Sequence, residues 1–196
     1  MSSGLIAILW FTVISAGFLH LIRYQFAAGE GASTAPEAWP AQSKVRPHPD
    51  VLNLVLFAHP KCPCTRATIG ELSRLMARCQ GRVASHVLFL RPGGVAPDWE
   101  VTDLWESAAI IPGVEVLTDL EGVEANLFRA VTSGQVLVYG LDGRLAFEGG
   151  ITASRGHAGD NPGRDAIVSL ATRRMAGFRE TSVFGCCLSS SNLPTE

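Results

Sequence analysis

The longest apolar run of the chain lies at its N-terminus, where residues 4–22 carry no formal charge. Nineteen residues in a helix that rises 1.5 Å per residue span roughly 28 Å, about the thickness of the hydrocarbon core of a bilayer. Arg23 and Tyr24 follow this run, as interfacial anchors do. The pattern predicts a transmembrane anchor over residues 1–24. A cleaved signal sequence is the alternative, because residues 27–29 (Ala-Ala-Gly) are small enough for a cleavage site.

Apolar runs and segments with a helical period alternate from residue 51 onward. The apolar runs predict strands over residues 52–58, 83–90, 114–117, 136–139 and 145–147. Apolar residues that recur every three or four positions predict helices over residues 65–79, 99–109, 120–128 and 164–175. Asp142-Gly143 lies between the last two apolar runs and predicts a hairpin there. Gly81 is suited to the C-cap of the first of these helices.

The order of these elements predicts how the chain is divided after the anchor. Prolines and glycines interrupt any period in residues 25–50, which is typical of a flexible linker. Residues 51–188 hold a strand-helix-strand unit and a terminal hairpin with a helix, which predicts an α/β sandwich with a mixed central sheet. Residues 189–196 are mostly polar and predict a disordered tail.

Composition excludes some classes of function. A length of 196 residues corresponds to one domain with an added segment. The formal net charge is −2 and the chain has no basic stripe, so we expect no nucleic-acid partner. Five cysteines are too few for a disulfide scaffold and too clustered to be incidental, which directs attention to their positions.

Two of these cysteines, Cys62 and Cys64, stand where the first predicted strand ends and the first domain helix begins. The free N–H groups and partial positive charge of a helix N-terminus stabilise a thiolate. Cysteines in such positions have a lowered pKa and act as nucleophiles or metal ligands. The pair is therefore the leading candidate for a redox or metal site, with His59 and Lys61 as candidate supporting residues.

Residues 51–178 resemble the thioredoxin-like superfamily. The resemblance rests on the strand that ends in Phe-Ala-His-Pro-Lys-Cys-Pro-Cys (residues 57–64), the helix after it and the terminal hairpin with its helix. It implies a thioredoxin-like sandwich. The N-terminal anchor makes the chain similar to the membrane-bound, extracytoplasmic thiol-disulfide proteins, and in particular to the bacterial RedB-type proteins.

The chain departs from the family pattern at two places. The family motif is Cys-x-x-Cys, and one residue is missing here, so a Cys62–Cys64 disulfide would close a tighter, strained and more oxidising ring. The family also has a cis-proline before the hairpin, facing the cysteines. Residues 131–135 (Val-Thr-Ser-Gly-Gln) contain no proline, and Thr132 in this loop is a further candidate supporting residue.

The resemblance implies a membrane-tethered thiol-disulfide oxidoreductase that acts on protein thiols or disulfides and needs no cofactor. Cys62 would attack, and Cys64 would resolve the mixed disulfide. Arg23 beyond the anchor favours a cytoplasmic domain, whereas disulfide chemistry belongs to an oxidising compartment. We give the chemistry precedence and expect the domain on the extracytoplasmic side of a bacterial inner membrane.

Two other functions compete with this one. The first is a copper chaperone or redox sensor with Cys62, Cys64 and His157 as ligands, because two thiolates and an imidazole suit copper. The second and weaker one is a peroxidase of the peroxiredoxin kind. That family places a threonine three residues before its cysteine, where this chain has His59 or Lys61.

A long glycine-rich connection, residues 149–163, follows the predicted hairpin. The fold implied by the resemblance places this connection beside the cysteine-bearing end of the helix. Arg155, His157 and Asp160 are therefore candidates to approach Cys62 and Cys64. The alternative is a surface loop whose polar residues satisfy one another.

The remaining cysteines have weaker signals. Cys79 lies on the apolar face of its predicted helix, so we expect it to be buried and inert. Cys186 and Cys187 follow the last predicted helix. They could form a resolving or shuttle pair, or they could pack the end of the chain against the domain, and the sequence leaves both alternatives open.

Overall fold

The computed structural model describes residues 3–29, 34–173 and 178–188. The tail expected at residues 189–196 lies outside these ranges. Over the described residues the helices are α1 (Ser3–Phe26), α2 (Pro63–Cys79), α3 (Asp103–Ala109), α4 (Val123–Leu127) and α5 (Pro162–Arg173). The strands are β1 (Leu52–Ala58), β2 (Val83–Arg91), β3 (Val114–Leu120), β4 (Gln135–Tyr139) and β5 (Leu145–Gly150).

The strands form one mixed sheet in the order β3-β2-β1-β4-β5. β2 pairs in parallel with both β1 and β3, whereas β4 pairs antiparallel with both β1 and β5. Parallel neighbours need a crossover connection, and α2 supplies the crossover from β1 to β2. The predicted α/β sandwich with a mixed central sheet is confirmed by this arrangement.

The alternation of side chains along β1 builds a core on each face of the sheet. Leu54 and Leu56 point into the core under α2, α3 and α5. Val55 and Phe57 point into the core on the other face. Six of the seven residues of β1 are buried because both faces of this central strand are covered. The cysteine-bearing start of α2 is thereby fixed at the carboxyl end of a rigid strand.

The second face of the sheet is covered by α4 and by residues 34–50, which the sequence assigns to a flexible linker. Val45 is buried in this core. The Trp39 ring packs against Phe128 and Tyr139, with ring centroids 5.1 Å and 5.2 Å apart. The expectation of a tether therefore needs a correction for this part of the segment. Its apolar side chains cover a sheet face that would otherwise be exposed.

The start of α3 and the capping residue of α2 differ from the predictions. The helix expected over residues 99–109 begins only at Asp103, because the residues just before it form hydrogen-bonded turns. The end of α2 has the left-handed backbone expected of a C-cap, but Gln80, with φ of 36°, takes the cap position and Gly81, with φ of 75°, follows it. For the elements other than α3, β3 and α4, the first and last described residues lie within three residues of the predicted bounds.

β3 is longer than predicted and α4 is shorter. The strand expected over residues 114–117 continues to Leu120, because its pairing with β2 continues to that residue. The helix expected over residues 120–128 begins at Val123. The carboxylate of Asp119 accepts hydrogen bonds from two backbone N–H groups in the first turn of α4, at 2.8 and 2.9 Å, and thereby fixes where the helix starts.

The N-terminal helix α1 has 24 residues, and none of them is buried. A helix of this length spans roughly 36 Å, enough to cross the hydrocarbon core of a bilayer. α1 is thus a candidate membrane span by length and composition, a description that a signal sequence would also satisfy.

Candidate active site

Cys62 and Cys64 lie at the start of α2. The chain turns after β1 so that the Cys62 N–H donates to the carbonyl of His59 at 3.1 Å. Cys62 is the N-cap of α2, and Pro63 follows it at the start of the helix. The Cys62 side chain is thereby placed at the helix end whose backbone N–H groups have no partner within the helix. Cys62 is 2% exposed and Cys64 is 8% exposed, so both thiols are buried.

The C-terminal segment brings a third thiol to this pair. The Sγ atom of Cys186 lies 3.0 Å from the Sγ atom of Cys62, at hydrogen-bonding distance for sulfur. Both are free thiols in this structure. The sequence left the role of Cys186 open, and the structure places it in the site. Cys79 is fully buried, and this part of the prediction for it is confirmed.

The three thiols of the site differ in acidity. Burial acts to raise the pKa of Cys62, but hydrogen bonds from Cys186 and Thr65 favour its thiolate and bring this pKa below the ordinary value. Burial and the charge of Cys62 raise the pKa of Cys64, which the Arg155 guanidinium lowers only in part. Burial and the hydrogen bond to Cys62 raise the pKa of Cys186 to about 12. Cys62 is therefore the thiol suited to attack, and the other two keep their protons.

The loop of residues 131–135 connects the site to β4. Ser133 Oγ accepts a hydrogen bond from the His59 N–H at 2.8 Å and shares another with Thr65 Oγ1 at 2.8 Å. This hydroxyl therefore ties the loop both to the end of β1 and to the first turn of α2. The candidate Thr132 is buried, and its backbone pairs with the C-terminal segment. The sequence analysis did not single out Ser133 or Thr65, since both are common residue types without a distinguishing pattern.

His59 and Lys61 contact Trp99, which the sequence analysis did not connect with the site. The His59 and Trp99 rings meet edge to face with centroids 5.7 Å apart. Lys61 Nζ lies 4.6 Å from the centroid of the Trp99 ring, in cation–π geometry. Burial, together with the charge of Lys61, lowers the pKa of His59, so this imidazole is neutral at neutral pH.

Arg155, in the long loop after the hairpin, lies beside the cysteine site. Its Nη1 donates to the carbonyl of Gly185 at 2.7 Å, next to Cys186. Its Nε donates to the carbonyl of Ala27 at 3.1 Å, just after α1. The guanidinium charge acts to lower the pKa values of both Cys64 and Cys186. Arg155 therefore connects the end of α1, the C-terminal segment and the thiols.

The two other candidates in this loop lie elsewhere. The His157 side chain is exposed. The Asp160 carboxylate is fully exposed and accepts from Arg164 Nη2 at 3.1 Å. Among the described residues no group of three or more His, Cys, Asp or Glu side chains is placed to hold a metal ion. Cys62, Cys64 and His157 therefore do not form such a group in this structure.

A buried ion pair, which the sequence analysis missed, fixes this loop. Arg164 Nη1 donates to the Glu71 carboxylate, and the two side chains are 4% and 0% exposed. The same carboxylate accepts from the Gly159 N–H at 2.8 Å. The only sign of this ion pair in the sequence is that Glu71, directly before Leu72, lies on the apolar face of α2. The pair anchors the loop that carries Arg155 to the helix that carries the cysteines.

No protein-family model matches the chain, and no curated protein matches it. Solved structures share its fold. A hypothetical protein from Sinorhizobium meliloti 1021 is 19% identical with a TM-score of 0.60, over 74% of this chain and 82% of its own. An uncharacterized conserved protein from Geobacillus kaustophilus is 17% identical with a TM-score of 0.61, over 86% of this chain and 95% of its own. The exposed lipoprotein thioredoxin of Streptococcus pneumoniae strain TIGR4 is 13% identical with a TM-score of 0.46, over 64% of this chain and 86% of its own. At these identities the likeness to the first two structures is one of fold alone.

Proposed function

We propose that the protein is a membrane-tethered thiol-disulfide oxidoreductase in which Cys62 attacks and Cys64 resolves. The observation that carries the proposal is the placement of two unlike thiols at one helix N-terminus. Cys62 has a lowered pKa, and Cys64, two residues later, has a raised pKa. Exchange needs an attacking thiolate and a second thiol that can displace the partner from the mixed disulfide.

The proposed exchange uses groups already in contact. The Cys62 thiolate attacks one sulfur of a partner disulfide, and the other partner sulfur leaves as a thiolate and takes up a proton. Cys64 then loses its proton and attacks Cys62 Sγ, which releases the second partner sulfur. The start of α2 and the hydrogen bond from Thr65 stabilise Cys62 as a thiolate before the first step. Arg155 favours the Cys64 thiolate needed for the second step.

The proposed partners are protein thiols or disulfides on the extracytoplasmic side of a bacterial inner membrane. α1 supports a membrane tether, because it is long and apolar enough to span a bilayer. Disulfide chemistry supports an oxidising compartment. Exchange between sulfurs requires no cofactor, so this part of the proposal rests on the thiols alone.

The proposal is tested with the full-length protein in detergent micelles. The reduced protein is mixed with a fluorogenic peptide disulfide, and the rate at which peptide thiol is released is measured. Cys62→Ser should lower this rate by at least about 10²-fold, because it removes the attacking thiolate. Cys79→Ser is the matched control. It replaces a buried thiol in the same helix and should change the rate by no more than about twofold.

Two results would count against the proposed function. If Cys62→Ser exchanged as fast as wild type, the attacking group would be elsewhere. If the wild type released no peptide thiol although the protein was folded and Cys62 was reduced, the site would not perform exchange with peptide disulfides.

A further inference from the structure

The C-terminal segment lies against the loop beside the active site and pairs with it through an isolated bridge between Thr132 and Cys187. The Ser133 N–H donates to the carbonyl of Cys186 at 2.7 Å, and the Leu188 N–H donates to the carbonyl of Val131 at 2.9 Å. The pairing is antiparallel. The segment thus uses the backbone of the 131–133 loop in the way that an added peptide strand uses a sheet edge.

The register of this pairing selects one of two adjacent cysteines. Side chains alternate along an extended strand, so Cys186 and Cys187 point to opposite faces. Cys186 Sγ is 3.0 Å from Cys62 Sγ. Reacting atoms in near-attack geometry are about 3–3.5 Å apart. Cys187, with the same chemistry one residue away, is therefore a built-in control for Cys186.

Contacts on both sides of Cys186 hold the segment in place. Arg155 Nη1 donates to the Gly185 carbonyl at 2.7 Å. Leu188 is buried in the core on the second face of the sheet. A Cβ atom at Gly185 would collide with the carbonyl oxygen of Ser133. This close approach of two backbones requires glycine at position 185.

The segment also governs access to the nucleophile. Cys62 is 2% exposed, whereas Cys186 is only partly buried. The more accessible thiol has a pKa raised to about 12 and is a poor nucleophile, while the good nucleophile is covered. An outside disulfide therefore reaches Cys62 only after the segment has moved.

We propose that residues 183–188 are an internal substrate of the Cys62 site, and that Cys186 accepts the disulfide from Cys64 to form a Cys62–Cys186 disulfide in the oxidised protein. The proposal rests on the proposed function, which supplies the Cys62–Cys64 disulfide. It adds a third exchange cysteine and a segment that an outside partner must displace.

The transfer is balanced without a further oxidant. An outside disulfide is first reduced to two thiols, and Cys62 and Cys64 are oxidised to a disulfide. Once Cys62 is in this disulfide, its thiolate charge and hydrogen bond no longer raise the pKa of Cys186. Cys186 then gives up its proton and attacks Cys62 Sγ, and the Cys62–Cys64 bond breaks. Cys64 leaves as a thiolate and takes up a proton, so the oxidation state of the protein does not change. The Cys-Pro-Cys ring is strained by its missing residue, and the transfer relieves that strain.

Peptide mapping of the oxidised protein tests the proposal. The reduced full-length protein in detergent is oxidised with oxidised glutathione, quenched in acid, alkylated with N-ethylmaleimide and digested with trypsin. Cleavage after Lys61 and Arg66 gives peptide 62–66, and cleavage after Arg179 gives peptide 180–196. We expect these two peptides to be joined by a disulfide in wild type and in Cys187→Ser. Cys186→Ser should lose the link and keep its disulfide within peptide 62–66.

A backbone variant tests whether the segment covers the nucleophile. Gly185→Ala should push the segment off the 131–133 loop without changing any cysteine. In the reduced protein Cys62 should then be alkylated about tenfold faster or more, because its protection comes from a local closed state. Gly70→Ala is the control, since a Cβ at Gly70 meets nothing within 4 Å.

The outcomes separate this proposal from the proposed function. If wild type exchanges with the peptide disulfide and Cys62→Ser does not, but oxidised wild type carries its disulfide only within peptide 62–66, the internal substrate is refuted and the oxidoreductase stands. A link that persists in Cys186→Ser and vanishes in Cys187→Ser would also refute the assigned register. Exchange that survives Cys62→Ser would refute the proposed function itself.

Discussion

Removing the buried carboxylate of Glu71 should destabilise the domain far more than removing an exposed ionic partner. Glu71→Gln keeps the side-chain volume but leaves Arg164, which is 4% exposed, without its buried counterion. Breaking a buried pair in this way costs about 3–5 kcal/mol. Asp160 and Asp165 still contact the other nitrogen of Arg164, at 3.1 and 3.5 Å. We therefore expect the lower end of that range, about 3 kcal/mol.

The exposed pair Arg66–Asp103 is the matched control. Its N–O distance is 2.6 Å, but the two side chains are 64% and 63% exposed. Solvent screens such a pair, so Arg66→Gln should cost about 0–1 kcal/mol. For a chain of this size 1 kcal/mol corresponds to roughly 2–4 °C in Tm. The expected loss for Glu71→Gln is thus about 6–12 °C, against no more than about 4 °C for Arg66→Gln.

The assay is thermal unfolding of the reduced full-length protein in detergent, followed by near-ultraviolet circular dichroism. This signal reports the packing of the aromatic core and not the helicity of α1. Equal Tm losses in the Glu71 and Arg66 variants would refute the reasoning. The result would mean that burial does not distinguish the two pairs, and that the 149–163 loop is held by other contacts.

Three further predictions concern the thiols, the membrane and a metal. In a pH titration followed by the ultraviolet absorbance of thiolate, the Cys62-dependent step, obtained by subtracting Cys62→Ser, should lie below the ordinary pKa of an unfolded-chain thiol measured in the same way. A step at or above that value would contradict the hydrogen-bonding argument. Full-length protein should stay in the membrane fraction after carbonate extraction, whereas release with a new N-terminus near Gly29 would indicate a cleaved signal. His157→Ala should not change how much copper the reduced protein binds. The reason is that no metal-binding group among the described residues includes this exposed side chain. Stoichiometric copper binding that His157→Ala removes would favour the copper hypothesis.

Local sequence patterns predicted the framework of the domain because they reflect local physics. The apolar run of β1 predicted a strand buried on both faces. The Asp142-Gly143 turn predicted the hairpin that β4 and β5 form. Cys62 and Cys64 were placed correctly at the start of α2, because an apolar run followed by a helical period marks the point where a strand ends and a helix begins. Each of these signals lies within a few residues of the feature that it predicts.

Contacts between distant parts of the chain could not be predicted in this way. The Glu71–Arg164 pair spans 93 residues, and Cys62 and Cys186 are 124 residues apart. The packing of Trp39 depends on the shape of a sheet face that later strands form. The choice between Cys186 and Cys187 depends on one backbone register. Such contacts follow from the tertiary fold, and no local sequence pattern predicts them.

The position of Arg155 predicts what happens at Cys64 when residues 183–188 move away from the site. Its guanidinium donates both to the Gly185 carbonyl and to the Ala27 carbonyl. When the segment carrying Cys186 moves away, only the first of these bonds must break. The second bond can hold the guanidinium near Cys64, whose thiolate it favours. The open site would then keep the charge that assists the resolving step while Cys62 becomes accessible to a partner. Arg155 would therefore favour resolution by Cys64 in the open state and retention of the segment in the closed state.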